Sequence, residues 1–406
     1  MLSPQAAPRR RLFVRPSWRT GWRILAILVV FAVALGLRLR AVGLLGTDFD
    51  EDDYLRAGQL YAQHLADGDW AGVVNERENY EHPPLTKLAY GAILLSEGPT
   101  AYARPVMALK GAKNGSELIA QKAHRLRVFS AIIGAVTATA VALVNPLAGL
   151  LVAVNSWHIK YTSQAMIEAL PCLFATLTLL LLRHSRRSGG WAFWLAAVAL
   201  GLTAAGKYLY AVAGVAAVIW LIWREYRLLA DATAGEPAPL GPRLLRRLAP
   251  ILAWSALALL VFYLFDPALW PNPIGRLRES LAFSTAYAGG AQVQATGYGW
   301  EQPLYWLFGS VPWHPGVFVV LLDGVFSVIG LIALRRTWQR DRLLALWFGT
   351  MLLFLFVWPT KWPQYILTVT VPIALLAAGR IGDWGAQIRQ WWRTRRRGRP
   401  RPAQIE

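Results

Sequence analysis

One cysteine, Cys172, is present among 406 residues. It can form no disulfide within the chain and rules out a cysteine-rich metal site. Histidine is also scarce, at six residues, which argues against a His-rich metal centre. Charged residues make up only 16%, against about a quarter in a soluble protein of ordinary composition. No Walker loop, His-Glu-x-x-His, EF-hand loop or Gly-x-Ser-x-Gly elbow occurs, so the chemistries those motifs carry have no foothold. No internal repeat is visible.

Apolar residues make up 55% of the chain and fall in blocks separated by short basic clusters. Runs at 22–45, 127–144, 146–160, 165–183, 191–206, 208–223, 249–265, 315–334, 343–358 and 364–381 predict about ten transmembrane helices. Helices alone satisfy their backbone groups within one lipid-embedded segment. The expected fold is an all-α polytopic membrane protein. Arg38 and Arg40 follow the first apolar run where a signal peptide would carry small residues, so that run reads as an uncleaved span.

The net charge of +19 is spread between spans and follows the positive-inside pattern, with no basic face for nucleic acid. Arg9, Arg10, Arg11, Arg15, Arg186, Arg187, Arg335, Arg336 and Arg389 fall on one side, which places both termini in the cytoplasm of a multi-pass cell-membrane protein. The predicted organisation is a basic N-terminus over 1–22, a transmembrane domain over 23–381 and a basic tail over 382–406. The tail is expected to be disordered from Trp391 onward. Two outer segments, 46–126 and 266–314, are too long for simple turns, and long connections usually carry function. The first is expected to form amphipathic helices at the membrane surface.

That first segment opens on Asp50-Glu51-Asp52-Asp53-Tyr54. Four adjacent carboxylates repel, which raises some of their pKa values and suits a general base. They also fit a helix N-terminus, where the dipole favours negative charge, and a solvated loop accounts for them equally. Tyr80-Glu81-His82-Pro83-Pro84-Leu85-Thr86-Lys87 then predicts an extended entry into a helix whose free N–H groups can receive an anion, or simply a rigid turn. Glu168 at the mouth of a span is a functional candidate, with interfacial snorkelling as its alternative. Arg127, Lys207 and Lys361 converge on the same side, against the positive-inside pattern, which points to an anionic ligand such as a lipid-linked phosphate. Trp270, Tyr298, Trp300, Trp306 and Trp313 offer faces for a sugar or, equally, an interfacial belt.

These residues resemble a known family. Asp50-Glu51 with Tyr54, Gly68-Asp69-Trp70, and His82-Pro83-Pro84-Leu85 with Lys87 are similar to the first outer loop of the GT-C membrane glycosyltransferases. The nearest sets are the protein O-mannosyltransferases (glycosyltransferase family 39 type) and the aminoarabinose transferases of lipid A. Arg127 with Gly134, Ser163 to Glu168, Gly201 to Lys207, and Asp266-Pro267 with Trp270 extend the resemblance in order over roughly 22–380. Glu168 stands where many relatives have Asp, the acidic run is longer, and no large C-terminal domain is expected. The resemblance implies inverting transfer of a hexosyl or pentosyl group from a polyprenyl-phosphate donor to an acceptor hydroxyl at the outer face. It implies Asp50 and Glu51 as catalytic, and Arg127, Lys207, Lys361, His82 and Lys87 as phosphate-binding. Tyr54, Glu81, Glu168, Asp266 and Trp270 would position sugar or acceptor. No cofactor is implied. The alternative is a transporter or flippase for an anionic lipid-linked sugar, which would place its charges near the midplane.

Overall fold

The computed structural model describes residues 18–103, 115–185, 188–232, 240–319 and 321–397. The N-terminal arginines through Arg15, the pair Arg186-Arg187 and the chain beyond Arg397 lie outside the described residues. Among the described residues there are helices and turns, with one isolated bridge between His314 and Phe318.

The first span is α1 (Trp18–Leu44). The following segment folds into α2 (Glu51–Ala66), α3 (Trp70–Asn75), α4 (Leu85–Glu97), α5 (Pro99–Tyr102) and α6 (Gly115–Lys122). α2 and α4 cross at glycines. A Cβ on Gly91 would lie 2.8 Å from the Tyr61 Cβ, and one on Gly58 3.0 Å from the Tyr90 Cβ. This close crossing sets the start of α2 beside the turn that enters α4.

Next come α7 (His124–Val144), α8 (Pro146–Val154) and α9 (Ser156–Tyr161). Asn145 caps α8 by accepting from the Leu147 and Ala148 amides at 3.0 and 3.2 Å, with Pro146 at the first helical position. The run 146–160 is therefore two short helices rather than one span. The break is at Asn155, whose side chain accepts from the His158 amide and donates to Asp323 at 2.6 Å. Asp323 also accepts from the Ser156 amide and hydroxyl, so one buried carboxylate anchors the start of α9.

The remainder comprises α10 (Ala169–His184), α11 (Trp191–Gly206), α12 (Tyr208–Ala211), α13 (Ala213–Ala232), α14 (Leu240–Leu264), α15 (Pro273–Ala288), α16 (Ala291–Gln294), α17 (Gln302–Phe308), α18 (Asp323–Arg340), α19 (Arg342–Val357) and α20 (Leu367–Arg397). Among the described residues five helical stretches are long and apolar enough to cross a membrane: those of α1, α7, α12–α13, α14 and α20. α10, α11 and α19 are apolar but only 16 residues each, about 24 Å at the usual rise. Small residues let these helices approach closely, as at Gly201, where a Cβ would meet the Val261 Cβ at 2.7 Å. The tail expected to be disordered from Trp391 instead continues α20 to Arg397, with the Arg395 guanidinium 4.0 Å above the Trp391 ring one turn back.

Candidate active site

The acidic run begins α2, and its first two members face different ways. Glu51 is fully buried. Its carboxylate takes a bidentate pair from Arg127 at 2.8 and 2.5 Å, and also accepts from the Ala165 and Asp48 amides. Arg127 uses its remaining donors on the carbonyls of Val42, Leu45 and Gly46. The pair staples the end of α1, the start of α2 and the 162–168 turn. Neither partner has a group left to offer a ligand.

Asp50, one residue earlier, N-caps α2 without a capping hydrogen bond from its side chain. Its carboxylate faces a cleft of about 280 Å³ and receives a 3.4 Å contact from Gln364 Nε2. Burial pushes the Asp50 carboxyl up to about 7. Lys207 opposes the rise, while Glu168, Asp48 and Asp53 add to it.

Lys207 lines the same cleft from the gap between α11 and α12. Gly206 makes that position possible, since a Cβ there would press on the Pro171 ring at 3.1 Å. Lys207 is 2% exposed; its Nζ donates to Glu168 Oε1 and lies 5.3 Å from the centre of the Tyr365 ring. Glu168, the N-cap of α10, is fully buried, and its Oε2 has no hydrogen-bond partner. It thus holds Lys207 at the cleft wall from behind.

Other predicted cations point elsewhere. All three Lys87 protons go to carbonyls, those of Glu78, Asn79 and His82, at 3.2, 2.6 and 2.9 Å. Lys87 therefore ties together the turn that carries Asn79, Glu81 and His82, and it does not line the cleft. Lys361 donates to the carbonyls of Leu355, Phe356 and Trp358, closing the C-terminal end of α19. His82 does line the cleft. Burial and then the nearby Lys207 and Lys87 hold its pKa well below the usual imidazole value, so it offers a neutral ring rather than a cation. Lys87→Met should leave buried carbonyls without donors and destabilise the protein by about 1–3 kcal/mol. A lower melting temperature with unchanged substrate affinity of the folded fraction would bear this out.

Tyr54 and Glu81 also line the cleft. Asp266 does not. It is buried behind Tyr208, whose hydroxyl donates to Oδ2 at 3.1 Å, while Oδ1 has no partner; burial pushes its carboxyl up to about 7. Trp270 is 44% exposed, donates to the Tyr263 carbonyl and lies outside the cleft, as do Tyr298, Trp300, Trp306 and Trp313. The aromatic walls are instead Phe49, Phe283, Tyr287, Trp362 and Tyr365. Polar Asp53, Asn79, Ser284, Gln292, Thr360 and Gln364 complete them. Of these, Phe49 adjoins Asp50, Asn79 adjoins the Tyr80–Lys87 element, and Thr360, Trp362, Gln364 and Tyr365 lie beside Lys361, whereas Phe283, Ser284, Tyr287 and Gln292 have no nearby sequence signal. Among the described residues no three His, Cys, Asp or Glu side chains are grouped to hold a metal ion.

No family model and no curated protein matches the chain. Two solved structures are similar: ArnT from Cupriavidus metallidurans bound to undecaprenyl phosphate, and the same protein in the apo state. Each is 17% identical with a TM-score of 0.51. The alignments cover 92% and 91% of this chain but only 63% and 62% of those chains. At this identity the likeness is one of fold, and it agrees with the all-helical, multi-pass membrane architecture described above.

Proposed function

We propose that the protein transfers a sugar from a polyprenyl-phosphate donor to an acceptor hydroxyl, in one inverting displacement at the outer membrane face. The observation that carries this reading is a carboxylate and a buried lysine, Asp50 and Lys207, on the walls of one cleft at the ends of apolar helices. Asp50 accepts the acceptor's proton as that oxygen attacks the anomeric carbon. The bond from that carbon to the phosphate oxygen breaks, and the leaving lipid phosphate gains charge beside Lys207. A phosphate is already a good leaving group, so a base and a fixed cation are the two aids the reaction needs. Attack on the face opposite the departing phosphate inverts the centre. Tyr54, Asn79, Glu81 and the neutral His82 are suited to orient sugar or acceptor by hydrogen bonds. The fold shared with a structure that holds undecaprenyl phosphate supports this choice of donor.

The test is sugar release from a panel of radiolabelled polyprenyl-phosphate sugars by purified protein in lipid, with candidate hydroxyl acceptors. Turnover that disappears with Asp50→Asn supports the reading. Donor movement across vesicles without cleavage would replace it with transport. Lys207→Gln keeps a donor for Glu168 but loses the charge. It should slow transfer by about 10–100-fold, the value of one charge-assisted hydrogen bond to the leaving phosphate. An unchanged rate would remove Lys207 from the phosphate.

A further inference from the structure

Three helices that start at the cleft carry arginines about four turns or more away from it. α10 runs from Glu168 at the cleft to Arg183, α13 from beside Lys207 to Arg227, and α20 from beside Tyr365 to Arg380. There two adjoining hollows of about 520 and 150 Å³ share Arg183, Arg340 and Asp341 as walls. Arg183, Arg227, Arg336, Arg340, Arg342 and Arg380 line them, against two aspartates, Asp341 and Asp383, which leaves four positive charges uncompensated within the pocket.

The positive-inside pattern accounts for arginines at this end of the molecule, but not for their being held around one concavity. Here the two aspartates fix them. Arg183 meets Asp341 at 2.7 Å, and Arg336 and Arg340 meet Asp383 at 3.1 and 3.2 Å. The Arg342 guanidinium lies 4.1 Å over the Trp223 ring. In the pocket wall, the Arg380 guanidinium lies 4.9 Å over the Trp384 ring, and its buried Nε has no hydrogen-bond acceptor. Apolar faces lead away from the pocket along the helices. Val215, Ile219 and Ile222 lie exposed on α13 before Trp223, and Val325, Val328 and Ile332 on α18 before Arg336.

We propose that this pocket binds the phosphate headgroup of an anionic phospholipid, with its acyl chains along the exposed faces of α13 and α18. Arginine forks suit phosphate oxygens, and basic pockets between membrane helices favour anionic headgroups. The apolar tracks on either side select a lipid over a soluble phosphate. The proposal stands on the membrane fold and is independent of the sugar-transfer reading.

The test uses the full chain in phosphatidylcholine nanodiscs, titrated with phosphatidylglycerol and read as retained lipid by native mass spectrometry. Wild type should retain phosphatidylglycerol over phosphatidylcholine. Arg227→Gln with Arg340→Gln should bind it about thirtyfold more weakly, the loss of two arginine–headgroup attractions. Arg335→Gln with Arg389→Gln removes the same charge from this end outside the pocket and should change binding by less than about threefold. Equal loss in both pairs, no preference in wild type, or equal competition by inorganic phosphate would overturn the proposal. Should the pocket variant not purify as a single species, wild type can be crosslinked with a headgroup-photoactivatable phosphatidylglycerol. Adducts at the Arg-bearing ends of α13, α18 and α20 would support the site, and adducts confined elsewhere would refute it.

Discussion

Asp50→Asn is expected to lower sugar transfer by about 10²–10⁴-fold, the usual contribution of a positioned general base, while the protein remains at least as stable as wild type. Asparagine keeps the shape of the side chain and its contact with Gln364 but cannot take a proton. The pH dependence sharpens the test. Burial raises the Asp50 carboxyl to about 7, with Glu168 and the neighbouring aspartates adding to the rise, and a base works only when ionised. Wild-type activity should therefore climb as pH rises through about 7 and level off above it, whereas the residual rate of the variant should lack that step. Stability runs the other way. A carboxyl whose folded pKa lies above its ordinary 3.8 favours the native state at pH below that value, and this contribution is lost as pH rises through about 7. Above neutral pH the ionised Asp50 is a load that asparagine removes, so the variant should melt at or above the wild-type temperature at pH 8. Near-normal transfer by Asp50→Asn would end the assignment of Asp50 as base. A large loss of melting temperature would instead mark Asp50 as structural.

The positions of most apolar helices were legible because hydrophobic runs long enough to cross a bilayer carry their own signal. α1, α7, α11, α14 and α19 begin and end within about ten residues of the expected runs. The run at 146–160 misled because Asn155 is uncharged and its effect depends on a partner, Asp323, far along the chain. In the site, sequence reports charge but not direction. Asp50 and Glu51 look alike on paper, yet successive residues at a helix start point about 100° apart, and only one of them meets Arg127. A lysine on the outer side suggests a phosphate ligand, but a buried ammonium is satisfied equally well by three carbonyls, as at Lys87 and Lys361. Lys361 follows the end of an apolar run, where basic residues often close free carbonyls, and that position was the available clue. Tyr287 and Phe283 on α15 reach the cleft only through tertiary packing, and no local pattern distinguishes them from the other aromatics of the second long segment.

Glu51→Gln should destabilise the protein by about 3–5 kcal/mol, the cost of leaving one partner of a buried ion pair behind. The carboxylate accepts from both Arg127 nitrogens and from two backbone amides, and an amide at this position presents one NH₂ where an acceptor is required. Arg127→Met should cost at least as much. It strands the Glu51 charge and also the carbonyls of Val42, Leu45 and Gly46. Because both variants break the same staple, the double variant should lose less than the sum of the single losses, and melting temperatures of the four proteins in detergent measure that coupling. The molecules that do fold should turn over donor at close to the wild-type rate, since neither side chain lines the cleft. Adjacent acids are thus expected to fail in opposite ways, Asp50→Asn in rate with its fold intact and Glu51→Gln in fold with its rate per folded molecule intact. If Glu51→Gln melted like wild type but lost turnover, Glu51 would belong to the chemistry and the division of roles between the two carboxylates would have to be redrawn.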